Sequence, residues 1–115
     1  MFRVPEYDAK GRLVYQILGS SAKWLSNGDI DVTNLRLEVY RDGEVDATVT
    51  TSQCLVNRAK GTATSEQAVR IERDDMIVTG IGFRFDAKTQ KITIFSKVRL
   101  ELKQTVTVPD TEEKE

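Results

Sequence analysis

Histidine is absent from the 115-residue chain, and cysteine occurs once, at Cys54. The first absence removes the usual general base, proton shuttle and commonest metal ligand. The second leaves Cys54 with no imidazole to activate it and no partner for an internal disulfide, so cysteine usage identifies no compartment. In a strand context Cys54 reads as a small core hydrophobe. The acidic groups Asp29/Asp31, Asp42/Glu44 and Asp74/Asp75 fall in predicted turns, where aspartate is favoured for local backbone hydrogen bonding, and they lack the ordered spacing of a calcium loop. Gly80-Ile81-Gly82 lacks the third glycine and following helix of a dinucleotide fingerprint. No enzyme activity, metal or cofactor is expected.

Long apolar runs are also missing. Met1-Phe2-Arg3-Val4-Pro5-Glu6 is polar and contains proline, unlike an apolar secretion core. The chain is therefore expected either to be cytoplasmic or to have an anchor outside this sequence. Basic blocks are absent too: the net charge is -1, the pI is about 5.6, and Lys and Arg are scattered through the strands. No nucleic-acid partner is expected. Nowhere does a 3.6-residue apolar period persist long enough to mark a helix.

What the chain does have is alternation. Apolar residues make up 39% and charged residues 30% of the sequence, enough for one domain with a modest core. Residues 64–103 hold three alternating runs, separated by turns at Arg73-Asp74-Asp75 and at residues 86–90. In the last run Val98, Leu100 and Leu102 alternate with Arg99, Glu101 and Lys103, which puts apolar groups on one face and charges on the other. Earlier, residues 13–18 and 22–25 read as strands, and Asn27-Gly28 marks a tight hairpin turn. The run from Ile30 to Tyr40 keeps its phase only if an extra residue sits near Thr33-Asn34, the mark of a bulge or bend. Asp42-Gly43 predicts the next turn, residues 45–50 a strand, Cys54-Leu55-Val56 a weaker one, and residues 57–67 a loop plus a short strand. Residues 1–10 read as a lead-in with Pro5 at an edge or irregular entry. Residues 109–115 read as a mobile acidic tail.

A faint repeat links these strands. Residues 32–40 lie over residues 78–86 without a gap, and residues 94–100 match with one residue inserted. Gly80 and Gly82 inside an apolar strand predict a bend, a bulge or the close approach of another group. Trp24, Phe83, Phe85 and Phe95 read first as core, with the wall of an apolar ligand groove as the alternative.

In order and spacing the chain resembles the LptC family, the periplasmic component of the lipopolysaccharide export machine. Residues 7–22, with Gly11 in the turn before the Val14-Tyr15-Gln16-Ile17 strand, are similar to the family's first strands. Asp42-Gly43 after Tyr40 fits as well. Thr64-Ser65-Glu66, Val69, Gly80 and Lys97-Val98-Arg99 resemble its C-terminal half. The resemblance spans residues 7–103 and implies an all-β fold: an antiparallel, two-sheet twisted jelly roll, an open V-shaped β-sandwich. It implies a single domain over residues 1–103 followed by an extension over residues 104–115. The middle, residues 45–63, is shorter than is usual in the family, which implies a shorter groove.

The function implied is non-catalytic. Lipopolysaccharide acyl chains lie between the sheets, neighbouring Lpt-type domains join edge to edge, and an inner-membrane ABC transporter drives the flow. The location implied is the periplasm, with an inner-membrane anchor that this sequence does not contain. The expected groove residues are Leu35, Leu37, Val39, Gly80, Ile81, Phe83, Phe85, Val98, Leu100 and Leu102. The expected docking edge is Val98, Arg99, Leu100, Glu101, Leu102 and Lys103. Two other readings stand beside it: a structural or adhesive β-module with a closed dry core, and a scaffold that polymerises through its edges without carrying lipid.

Overall fold

The computed structural model describes residues 1–103. Every helix or strand among them is a strand: β1 (Phe2–Tyr7), β2 (Leu13–Gly19), β3 (Ser21–Trp24), β4 (Ile30–Arg41), β5 (Glu44–Asn57), β6 (Thr62–Glu72), β7 (Met76–Asp86) and β8 (Lys91–Leu102). They pair antiparallel in one eight-stranded open sheet of order β1-β2-β4-β5-β6-β7-β8, with β3 pairing only with β4. The all-β antiparallel expectation is met. The expected extension over residues 104–115, with its acidic tail, lies outside the described residues.

Local chemistry explains most of the chain reversals. Gly28 (φ +94°) follows Asn27, whose side-chain oxygen accepts the Asp29 N–H at 2.9 Å. Asp42 and Gly43 both take positive φ, as a two-residue hairpin turn requires. Three segments differ from the sequence reading. Residues 2–7 form a strand rather than a lead-in, and Pro5 is tolerated there because β1 is an edge strand. Cys54-Leu55-Val56 is the far end of one 14-residue strand, β5. The loop expected over residues 57–67 shrinks to a turn, since Thr62 already starts β6.

A line of irregularities crosses the sheet from strand to strand. Ser20 separates β2 from β3, and its N–H bonds to the Thr33 carbonyl at 3.0 Å. Beside it Asn34 takes a φ of +54°, the extra residue that the broken phase of β4 predicts. Register then shifts between Thr51 and Leu55, between Ser65 and Ala68, and between Thr79 and Ile81, while Gly82 and Lys97 take φ of +79° and +53°. Bulges that line up across neighbouring strands bend a sheet as a unit. Each long strand thus has one half on either side of the bend.

The apolar faces of both halves feed one core. From one side come Ile17, Leu35, Leu37, Val39, Val49, Val69 and Ile71; from the other come Ile30, Val32, Cys54, Val56, Ala63, Phe83 and Phe85. Tyr15 and Phe85, on opposite sides of the bend, meet edge to face with ring centroids 5.8 Å apart. On the outer face of β2, buried Gln16 is satisfied by Arg3, Glu38 and Tyr40. The Gln16 amide in turn holds the Glu38 carboxyl below its ordinary range, helped by Tyr40 and Arg36.

Cys54 is fully buried, and burial pushes its thiol up to about 12. Thiolate is the reactive form, so folded protein is expected to resist a thiol reagent at pH 8 and to react at once in denaturant. Following label uptake by mass spectrometry checks this, and rapid labelling without denaturant would contradict it.

Candidate functional site

Strand β7 carries four of the expected groove residues, and Gly82 divides them. Thr79 pairs with Arg70 and Arg99 on the outer face. Ile81, two residues on, shares that face, is 39% exposed and borders an outer hollow with Ala68, Thr79, Lys97 and Arg99. The positive φ of Gly82 then turns the next side chain inward, and Phe83 is sealed at 0% exposure. The expectation that Ile81 and Phe83 share a face is corrected by this bulge.

The remaining expected residues separate into two groups. Leu35, Leu37, Val39, Phe83 and Phe85 are buried in the core, with Gly80 buried beside them. Gly80 is a close-approach glycine: a Cβ there would lie 2.3 Å from Ile94 Cγ2 and 3.0 Å from the Ser96 carbonyl oxygen. Val98, Leu100 and Leu102 are instead more than half exposed. Leu100 pairs with Val78 and Leu102 with Met76, so they continue the apolar face of β7 out to the free side of the sheet. Nothing among the described residues pairs with the other edge of β8. Arg99 and Glu101 stand opposite Thr79 and Ile77 of β7, and Lys103, just past the strand, bonds back to the Asp75 carbonyl and to Glu72.

One end of the interior is open. Val39, Ala47, Ile71, Met76 and Val78 from one side of the bend, and Ile92 and Ile94 from the other, line a groove of about 290 Å³. Its rim carries Arg41, Asp46, Arg73 and Gln90. Arg41 and Arg73 both pair with Asp46, at 3.6 and 3.3 Å. Near Tyr15, Ile17, Leu37, Val56 and Phe85 the interior closes to a void of only about 10 Å³. A larger hollow of about 340 Å³ lies on the outer face among Arg36, Thr48, Thr50, Arg70, Glu72 and Lys103, and shares Asp46 and Arg73 with the end groove. It is polar, and its cations already have partners in Arg36–Glu38, Arg70–Glu72 and Lys103–Glu72. The end groove, concave and apolar with a few polar groups at its rim, has the character of a ligand site.

Of the expected groove residues, only Val39 lines this groove. Met76, Val78, Ile92 and Ile94 were marked by the same alternation that marks Phe83 and Leu100. Which end of the interior stays uncovered is a matter of how the halves close, and alternation carries no such signal. Among the described residues no group of three or more His, Cys, Asp or Glu could hold a metal ion, and no helix is long and apolar enough to cross a membrane.

Fold and groove define a class: an all-β domain built from one bent antiparallel sheet, with an apolar interior open at one end and an edge strand that has no outer partner among the described residues. Residues 44–103, from the start of β5 to just past the end of β8, match the family model described as lipopolysaccharide-assembly, LptC-related, and the chain belongs to that family. The match covers just over half of the chain. No curated protein matches it. Membership assigns the chain to lipopolysaccharide transport and to the Lpt complex with its other components. The family consists of periplasmic transport-bridging proteins, in general anchored in the inner membrane and not known as enzymes. The resemblance over residues 7–43 lies outside the matched span.

Proposed function

We propose that this chain is a lipid-handling and bridging domain of lipopolysaccharide export, a short twisted jelly roll whose two half-sheets form an open V. Acyl chains enter at the open end and contact the apolar faces on both sides of the bend. Strand β8, through Val98, Arg99, Leu100, Glu101 and Leu102, with Lys103 just past its end, receives the edge strand of a neighbouring Lpt-type domain. Through such neighbours the domain connects to the inner-membrane ABC transporter. No chemistry is performed on the lipid.

The observation that carries this reading is the edge. Val98, Leu100 and Leu102 extend the core's own apolar face and stay uncovered on a strand whose outer N–H and C=O groups have no partner among the described residues. Such an edge is a template for strand addition, and monomeric proteins normally block it. Proline at residue 100 removes a backbone donor there. Photo-crosslinkers at Ile94 and at Leu100, introduced in cells, test both halves of the proposal. Adducts to lipopolysaccharide from Ile94 and to a neighbouring Lpt protein from Leu100 are expected. Leu100→Pro should remove the protein adduct formed from a crosslinker at Val98. No lipid adduct from Ile94, Met76 or Leu100 would overturn the carrier role.

The closed void beside Tyr15 and Phe85 favours a second reading, the structural module with a dry core. That reading predicts no affinity for small apolar probes at the Met76–Ile94 end as well.

A further inference from the structure

We propose that the open end of the interior takes a single acyl chain of an anionic amphiphile, with Arg41 and Arg73 holding its phosphate or carboxylate at the rim. The proposal rests on the lipid-handling reading above and adds the size and charge of what is held.

Size comes from the groove. At about 290 Å³ it lies at the small end of the range for ligand pockets, about 300–1,000 Å³, and beyond it the core is filled by Phe83 and Phe85. A slot this narrow suits one chain inserted between Met76 and Val78 on one wall and Ile92 and Ile94 on the other. A lipid with several chains would have to leave the others along the exposed face of β8.

Charge comes from the rim. Arg41 Nη2 lies 3.6 Å from Asp46 Oδ2, and Arg73 Nη2 lies 3.3 Å from Asp46 Oδ1. Among the described residues Asp46 is the only acidic one lining the groove. Two guanidiniums therefore share one carboxylate, which leaves a surplus of positive charge where an inserted chain would carry its headgroup. Each guanidinium has five N–H donors, far more than one carboxylate oxygen can accept. Their planar forks match phosphate and carboxylate oxygens in pairs. Asp46 has two opposed effects: it ties both arginines to the rim, and it competes with an incoming anion for their donors.

That competition gives predictions of opposite sign. The test titrates full-chain protein with decyl phosphate and with decyl maltoside below their micelle concentrations, following the methyl resonances of Met76 and Ile94. Decyl phosphate is expected to bind several times more tightly, with an advantage that shrinks as salt rises. Arg41→Gln and Arg73→Gln should each lower decyl phosphate affinity about threefold to fivefold, the size of a partly exposed charge pair. Asp46→Asn should raise it by a similar factor. None of the three should alter decyl maltoside binding, a readout that a merely structural effect would move.

Equal binding of both amphiphiles, insensitive to the arginines, would overturn the headgroup assignment while the groove reading survives. Inorganic phosphate binding as tightly as decyl phosphate would overturn the acyl-chain slot. No shift at Met76 or Ile94 with either amphiphile would remove the groove reading itself.

Discussion

Phe83→Ala is expected to destabilise the domain by about 3–5 kcal/mol, the cost of emptying an aromatic site in a packed core. Phe83 is wholly inaccessible, pairs with Ser65 on β6 and Ile94 on β8, and follows the bulge that turns β7 inward. Its ring is part of the buried core cluster. Leu100→Ala is the paired control. Leu100 is 57% exposed on the edge strand, so its truncation should move stability by no more than about 0.5 kcal/mol, as for an ordinary surface change. Urea unfolding followed by far-UV circular dichroism measures both. A loss below about 1 kcal/mol for Phe83→Ala would mean that the interior can collapse around the gap, and the division between sealed core and open groove would fail.

That division shows what alternation can and cannot convey. The turns at Asn27-Gly28 and Asp42-Gly43 were legible because positive φ needs particular residues. The bend in β4 was legible because Ile30/Val32 and Leu35/Leu37/Val39 cannot share a face without an extra residue, which Asn34 supplies. In β7 the same reasoning miscarried. Ile81 and Phe83 are two apart and both apolar, so alternation places them together; only the backbone of Gly82 separates them. The gapless overlay of residues 32–40 on 78–86 sets Asn34 against Gly80. Matching the bulge residues, Asn34 with Gly82, slides the overlay by two positions. A local period reports faces until a residue with unusual φ intervenes, and glycine hides such residues best because it fits either conformation.

The edge and the groove differ in the same way. The apolar stripe Val98, Leu100 and Leu102 was visible in sequence, and so was its place on the last strand. Its exposure depends on topology, because β8 has β7 on one side and no described neighbour on the other. The groove depends on both hairpin ends at once. It opens where the β4–β5 turn and the β7–β8 turn approach, bringing Arg41 and Gln90 to one rim. Residues 49 positions apart in sequence give no joint pattern from which that meeting could be read.

Gly80→Ala is expected to cost about 1–3 kcal/mol, although a glycine inside a strand is ordinarily a weakness that alanine repairs by about 0.5–1 kcal/mol. The backbone at Gly80 is not in the left-handed region; the obstacle is space. A Cβ would meet Ile94 Cγ2 at 2.3 Å and the Ser96 carbonyl oxygen at 3.0 Å. The first contact is a methyl close to the backbone of a β-branched, stiff side chain, and the second is backbone itself, so neither can swing aside. Gly80→Val adds two more methyl groups and is expected to prise β7 from β8 over the bend. The cause can be isolated by a double-mutant cycle. In the presence of Ile94→Ala, the cost of Gly80→Ala should fall by at least half, a coupling that only contact explains. Gly82→Ala provides the contrast: its cost, at least about 1–2 kcal/mol, comes from a φ of +79° and from Phe95, whose Cδ2 a Cβ would meet at 2.8 Å, and should not depend on Ile94. Ile94 also lines the open groove, so the clash reaches the proposed ligand site. The strain that a Cβ at Gly80 puts on Ile94 is therefore strain on the groove wall itself. Folded Gly80→Ala protein should therefore bind decyl maltoside more weakly than wild type. Unchanged binding would separate the glycine's structural role from the groove.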